Sequence, residues 1–388
     1  MRQLKLLVAA TAAVLLAGTT PALAQEASGT IVEHWGAYGT SGKSFDTQTS
    51  PVPLTLPGQI KQIGSSNSTQ YALLTNGQVW AWGHGTDGEL GDGGTVNSYT
   101  TPVQVQFPSG VTIAYIPTDT DPYDSAFAVD TTGRVWAWGD NDGGEFCLGN
   151  RRKHLTPVKL SFTDVTTLAG AGGHATYDSD GTVYSCGTNQ YGELGDGSTT
   201  SSMTPVRVSG LDGALVTTLV AAWRDTGALL FNGDYYDWGY NAGGQVGNGG
   251  TTSVTTPFRV PLDAAVTQVA LGGSTSSNGQ TLAMLTGGTL WAWGNGEAYQ
   301  LGNGAKGNEE SPIQITPPTG VTYVALATGG ATSYGITEDG HVWAWGYNKN
   351  GEVGNGTTKA AQEPVEVATD ATQVCATARD VVIATTNG

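Results

Sequence analysis

The chain has 388 residues, 58 of them glycine, and only 13% are charged. Its 16 basic residues face 33 acidic ones, a net charge of −17 that repels nucleic acid and anionic lipid and argues against a phosphate-backbone binder. Eleven tryptophans and twice the usual glycine mark a turn-dense β protein with ample apolar material for a large core, and charge is too sparse for an acidic disordered chain.

The N-terminus reads as a targeting segment. Arg2 and Lys5 precede an apolar run, Leu6 to Gly18, that is short for a membrane span, and Ala22-Leu23-Ala24 forms a small-residue cleavage site. Residues 1–24 are therefore expected to be a removed signal peptide, leaving Gln25 first and 14 basic against 33 acidic residues, a balance of −19. The mature chain, 25–388, is expected to be one domain, secreted or extracytoplasmic, with no membrane span.

From there a repeat runs to the end. Trp-Gly occurs at Trp35, Trp82, Trp138, Trp238, Trp293 and Trp345, with Cys186-Gly187 filling the one gap, in steps of 47, 56, 48, 52, 55 and 52 residues. A second anchor, proline followed by alternating apolar residues, starts at Pro51, Pro102, Pro157, Pro205, Pro257, Pro312 and Pro364, and the two anchors alternate strictly. Each unit reads as four strands; around Trp82 these are 60–66, 70–76, 78–83 and 102–107. Asn76-Gly77, Asp180-Gly181 and Asp339-Gly340 predict two-residue hairpins between strands two and three. Proline cannot donate to a ladder, so strand four starts at it or lies at a sheet edge. Seven small antiparallel sheets repeated radially make an all-β, seven-bladed β-propeller of four-stranded blades. The chain ends on strands one and two (Val374-Cys375, then Val381 to Thr385), and the mature chain opens on strand three (Thr30 to Gly36). The ends therefore share one blade and close the ring, which removes exposed edges.

The best copies read GQVWAWGHGTDGELGDGG (77–94) and GHVWAWGYNKNGEVGNGT (340–357). This pattern resembles the regulator of chromosome condensation repeat over nearly all of residues 29–388; Gly192 to Gly197 fits fully, whereas Tyr299 replaces the first glycine of its copy. The resemblance implies a seven-bladed propeller and, through the best-known member, guanine-nucleotide exchange on a small GTPase and chromatin binding. Export, the acidic balance and near-constant loops argue against that role here. The chain also resembles secreted bacterial propellers of the family that inhibit β-lactamases, in export, closure and blade count, although its GxLGxG loops depart from their shorter linkers.

No catalytic constellation is visible: there is no nucleophile elbow, metal-binding helix motif, phosphate loop or dinucleotide fingerprint. His34, His84, His154, His174 and His341 are scattered over different repeats, so no metal site and no cofactor are expected. Asp140 to Glu145 imitates a calcium loop but lacks ligands and aligns with the ordinary turn. Asp87, Asp92 and Asp196 read as turn formers, and the paired tryptophans as packing between blades. The residues that break the repeat cluster in the loops from strand one to strand two: Asp119, Asp121, Tyr123 and Asp124; His174, at the histidine position usual in the family; Trp223, Arg224 and Asp225; Arg379 and Asp380. Aromatic and arginine residues are the common anchors of protein interfaces. The reading is a non-enzymatic scaffold, expected to be a monomer, that binds a protein or cell-envelope partner through these loops. The alternatives are an exchange factor, a propeller hydrolase or lyase, or an enzyme inhibitor. Phe146-Cys147 reads as a two-residue insertion in its turn, followed by the one basic cluster, Arg151 to His154. Cys147 and Cys186 lie in consecutive repeats that neighbouring blades bring close, so a disulfide between them is expected; Cys375 reads as a buried small hydrophobe.

Overall fold

The computed structural model describes residues 30–37, 47–117, 124–273 and 279–386. Residues 1–24 and three of the candidate residues, Asp119, Asp121 and Tyr123, lie outside them. The described residues contain 28 strands and no helix, arranged as seven four-stranded antiparallel sheets. Six sheets use consecutive strands: blades 1 to 6 span 60–104, 113–159, 165–207, 216–259, 266–315 and 323–368. Blade 7 is shared by the two ends of the chain. Its order is Gln48–Thr55, Ile31–Gly36, Asp380–Thr385, Ala371–Ala376, with Val32 opposite Ala384 and His34 opposite Val382. At five of the seven junctions the first strand of a blade lies beside the first strand of the next, and across blades 1 and 2 the Gln62 side chain bonds the Ile116 backbone.

Two details differ from the sequence reading. In blade 1 the outer strand is Ser98–Gln104, so it begins four residues before Pro102 rather than at it. The register breaks just there, between the pairs Ala81–Val103 and Gly83–Ser98. An edge strand with a bulge tolerates a residue that has no N–H, and the other outer strands carry their prolines in the same way. Only the Asp180-Gly181 hairpin is a two-residue loop with both residues left-handed (φ 51 and 71). At Asn76-Gly77 and Asp339-Gly340 only the glycine has positive φ, and the turn is one residue longer, closed by Leu74 N–H to Gln78 O and by Thr337 N–H to His341 O.

The interior is built from the repeat's tryptophans. Trp35, Trp82, Trp138, Trp238, Trp293 and Trp345 are completely buried. Five of their indoles reach back to the preceding blade. Trp138 donates to the carbonyl of Glu89 at 2.7 Å, and Trp238, Trp293, Trp345 and Trp35 donate to the carbonyls of Glu193, Gln245, Gln300 and Glu352 at 2.8–2.9 Å. The residue two after that Glu or Gln must then be glycine. A Cβ on Gly91 would meet the Trp138 indole nitrogen at 2.9 Å, and one on Gly195 the Trp238 nitrogen at 2.7 Å. Both glycines also have left-handed φ, which costs a side-chain-bearing residue energy.

The junction of blades 2 and 3 departs from this device. Blade 3 has Cys186 where the others have tryptophan, and Cys147, at φ 57, occupies the glycine slot of the turn before it. The two are joined in a disulfide, their Cα atoms 5.5 Å apart. Phe146-Cys147 is therefore no insertion. Cys147 N–H bonds Gly144 O as Gly91 N–H bonds Gly88 O, and Gly149 N–H reaches the next blade's outer strand as Gly93 N–H does. Phe146 fills the leucine slot, and Cys147 replaces the glycine because no indole claims the space. Cys375 is buried outside any disulfide, its Sγ 3.0 Å from Ser65 Oγ.

Candidate functional site

Antiparallel blades place two kinds of loop at one end of the ring: the turn from strand one to strand two, and the long glycine-rich loop from strand three to strand four. Each blade's first turn thus sits against the preceding blade's long loop. In that loop an asparagine organises the backbone. Asn189 Oδ1 accepts from Leu194 N–H at 2.9 Å while its amide donates to the carbonyls of Ser198 and Thr200. Asn241 and Asn348 repeat this. Asp92 and Asp196 each cap an amide two residues on, as turn formers do.

Against this regular background, the junction of blades 3 and 4 gathers aromatic rings at the surface. Trp223 and Arg224 form the tip of the first turn of blade 4. Tyr191 comes from the long loop of blade 3 and Tyr240 from that of blade 4; all four are half-buried. Tyr240 meets Tyr191 and Trp223 edge-on, with ring centroids 4.7 and 5.5 Å apart. The Arg224 guanidinium stacks 4.5 Å from the Trp223 ring and 5.2 Å from Tyr191, donates to Gln190 Oε1 at 2.7 Å, and lies 3.8 Å from Glu193. Such contacts fix a side chain that is otherwise costly to order.

Three other candidates from the sequence face inward, and here the structure corrects the expectation. His174, Asp225 and Asp380 are buried. Each begins strand two, where the side chain enters the seam between blades. Thr226 donates its hydroxyl proton to Glu193 O, so His174 Nε2–H donates to Thr226 Oγ1 at 2.9 Å. Burial, helped by Arg224, pushes the His174 pKa down to about 3, so the ring is a neutral pin between blades 3 and 4. Burial raises the Asp225 pKa well above the carboxylate range, aided by the charge of Asp237, which itself accepts from Tyr235 O–H at 2.6 Å. Burial raises the Asp380 pKa to about 7, Glu352 adding to the shift and Arg379 opposing it. Arg379 is exposed at the tip of its turn.

Asp124 is half-buried with φ 56 and meets a neighbour that sequence spacing did not bring to it. His84 and Glu89, in the long loop of blade 1, bond each other at 2.9 Å, and their ligating atoms and that of Asp124 all lie within 4.8 Å of one another. The expectation of no clustered ligand set is corrected to that extent, because His84 and Asp124, 40 residues apart in the chain, converge at one seam. In the basic cluster, Arg151 and Arg152 are exposed, whereas Lys153 bridges Asp87 and Asp140 across blades 1 and 2. Sequence reasoning missed Tyr191, Tyr240 and Gln190. Their slots vary from copy to copy, with tyrosine recurring only as Tyr347 in the slot of Tyr240, so departure from the repeat, the signal that found Trp223, was too weak to single them out.

The fold and this loop end define a closed seven-bladed β-propeller with one decorated face. The Regulator of chromosome condensation (RCC1) repeat matches residues 76–116, 180–229, 232–277, 287–334 and 339–382, and a second profile of the same repeat matches 323–352. The chain belongs to that family. It is 28% identical over 342 residues to the ultraviolet-B receptor UVR8 of Arabidopsis thaliana, covering 85% of this chain and 76% of the receptor. It is 29% identical over 315 residues to the human E3 ubiquitin-protein ligase HERC2, covering 79% of this chain but only 6% of that protein. Human WBSCR16 superposes with a TM-score of 0.78 at 20% identity, covering 91% of this chain and 98% of that one. Yeast Prp20p, whose reported structure concerns its binding to Gsp1p and histones, gives 0.77 at 20% identity, covering 92% and 91%. Among the described residues no helix is long and apolar enough to cross a membrane.

Proposed function

We propose that this chain is an exported, non-enzymatic, monomeric docking propeller that engages a protein or cell-envelope partner through the loop end centred on Trp223, Arg224, Tyr191 and Tyr240. The observation that carries the reading is the half-exposed aromatic cluster around a stacked arginine, a side-chain set enriched at interface hot spots. Among the described residues, it stands at the one junction where the first turn and both long loops contribute rings. The relatives support a binding role in general terms: Prp20p is described by its binding to Gsp1p and histones. The acidic balance of this chain favours a neutral or cationic partner. The N-terminal segment supports export, and the Cys147–Cys186 bond fits an oxidising compartment.

The test uses the chain as bait against its own culture fluid and envelope extract. The partner captured by the wild type is identified, and its affinity is measured again with Trp223→Ala and Tyr191→Ala. A loss of at least tenfold in both, with stability unchanged, is expected. Undiminished binding in both variants removes this face from the reading. N-terminal sequencing of the exported chain is expected to begin at Gln25.

A further inference from the structure

We propose that His84, Glu89 and Asp124 form a divalent-metal site at the seam between blades 1 and 2, and that Zn2+ is the ion this donor set fits. One imidazole and two carboxylates are borderline-to-hard donors, a set that Zn2+ accepts together with an open fourth position. Tetrahedral zinc at about 2.0–2.2 Å from its ligands sets them about 3.4 Å apart. The present separations, 2.9 Å between His84 Nδ1 and Glu89 Oε1 and none above 4.8 Å, bracket that value. Glu89 is buried, whereas the His84 side chain is 32% exposed, so an ion and a water have a way in. Glu89 is anchored by Asp87 N–H at 2.8 Å, and Asn67 bonds Asp124, contacts of the kind that orient metal ligands from behind.

The repeat supplies an internal comparison. The three positions are the residue after Trp-Gly, the acid or amide of the turn, and the residue before strand two of the next blade. At the junction of blades 3 and 4 they hold Thr188, Glu193 and Arg224, and the arginine balances the buried acid. At the junction of blades 4 and 5 they hold Tyr240, Gln245 and Gly279, with no charge to balance. The seam therefore forms without a ligand set. At blades 1 and 2 an acid, Asp124, replaces the balancing arginine. Lys153, the nearby cation, is engaged by Asp87 and Asp140 instead. A bound cation supplies there what Arg224 supplies at the junction of blades 3 and 4.

The experiment strips the purified chain with chelator and titrates it with Zn2+ by calorimetry, then with Co2+ to read the visible d–d bands. One Zn2+ per chain, bound in the micromolar range or tighter, is expected. His84→Gln and Asp124→Asn should each weaken it at least tenfold; asparagine suits the left-handed backbone at 124, so the loop is preserved. His341→Gln, at an exposed histidine beside Glu366 and Asp339, should leave it unchanged. Zn2+ should raise the melting temperature of the wild type but not of Asp124→Asn. Absence of binding, wild-type affinity in both seam variants, or loss only in His341→Gln overturns the proposal. Near-ultraviolet circular dichroism, which reports the buried tryptophans, establishes that each variant is folded.

Discussion

Two junctions of the same ring solve one packing problem in different ways. Between blades 4 and 5, Trp293 fills the seam and its indole clamps Gln245 O, while Gly247 leaves room for the ring. Between blades 2 and 3, the ring and the glycine are both gone, and Cys186 and Cys147 close the gap by a covalent bond. The exchange is coupled: a tryptophan opposite Cys147 would collide with its Cβ, and a glycine opposite Cys186 would leave a void. The carbonyl released by the missing indole is taken by Tyr177 O–H, which donates to Glu145 O at 2.8 Å. A repeat can thus change its chemistry at one seam without changing its geometry, provided both sides change together.

The largest effect is expected where the clamp is pure packing. Trp293→Ala should cost about 3–5 kcal/mol, as for large-to-small changes of buried aromatics, read as a lower urea midpoint that reductant does not alter further than it alters the wild type. Next comes the covalent seam. Cys147→Ser with Cys186→Ser, or reduction of the wild type, should cost about 2–4 kcal/mol for a bond spanning 39 residues of sequence. Cys186→Trp alone should be worse than Cys147→Gly with Cys186→Trp, which should recover most of the loss and ignore reductant. Equal stability of the single and double variants would break the comparison, since it would mean that glycine is not there to admit the indole.

Acidity sharpens it. Burial raises the Glu145 pKa to about 8 at the disulfide seam, above its ordinary 4.5. The folded chain therefore keeps a proton that the unfolded chain loses between about pH 4.5 and 8. Stability from this group is full below that window and falls as pH rises through it. Asp380, at about 7, acts in the same direction. Gln245 and Gln300 already occupy the equivalent slot as neutral amides at other seams. Glu145→Gln is thus expected to be more stable than the wild type at pH 8 and about as stable at pH 4; urea midpoints at both values decide it. The smallest effect belongs to Lys153→Ala, which removes a surface bridge between blades and should shift stability by less than about 1 kcal/mol.

Much of the architecture was legible in the chain itself. Trp-Gly and proline anchors counted the blades, and the half-repeats at the two ends named the shared one, because radial repetition writes each blade's pattern into sequence at a near-constant step. Trp223 and Arg224 were legible as departures from that step. His174, Asp225 and Asp380 were misjudged for the opposite reason: a polar residue at a turn looks exposed in sequence, whereas the first residue of strand two points into the seam. Cys147 looked inserted because a glycine slot is recognised by glycine.

The sequence by itself determined which residues repeat, how often, and that the ends must meet, since alternation and turn chemistry are local. Only the tertiary structure decided which side chains face one another across a seam: Cys147 with Cys186, His84 and Glu89 with Asp124, Tyr191 with Trp223 and Tyr240. Those partners lie in neighbouring repeats, and whether a variable residue meets solvent, a buried acid or an aromatic ring is settled by the packing of one blade on the next.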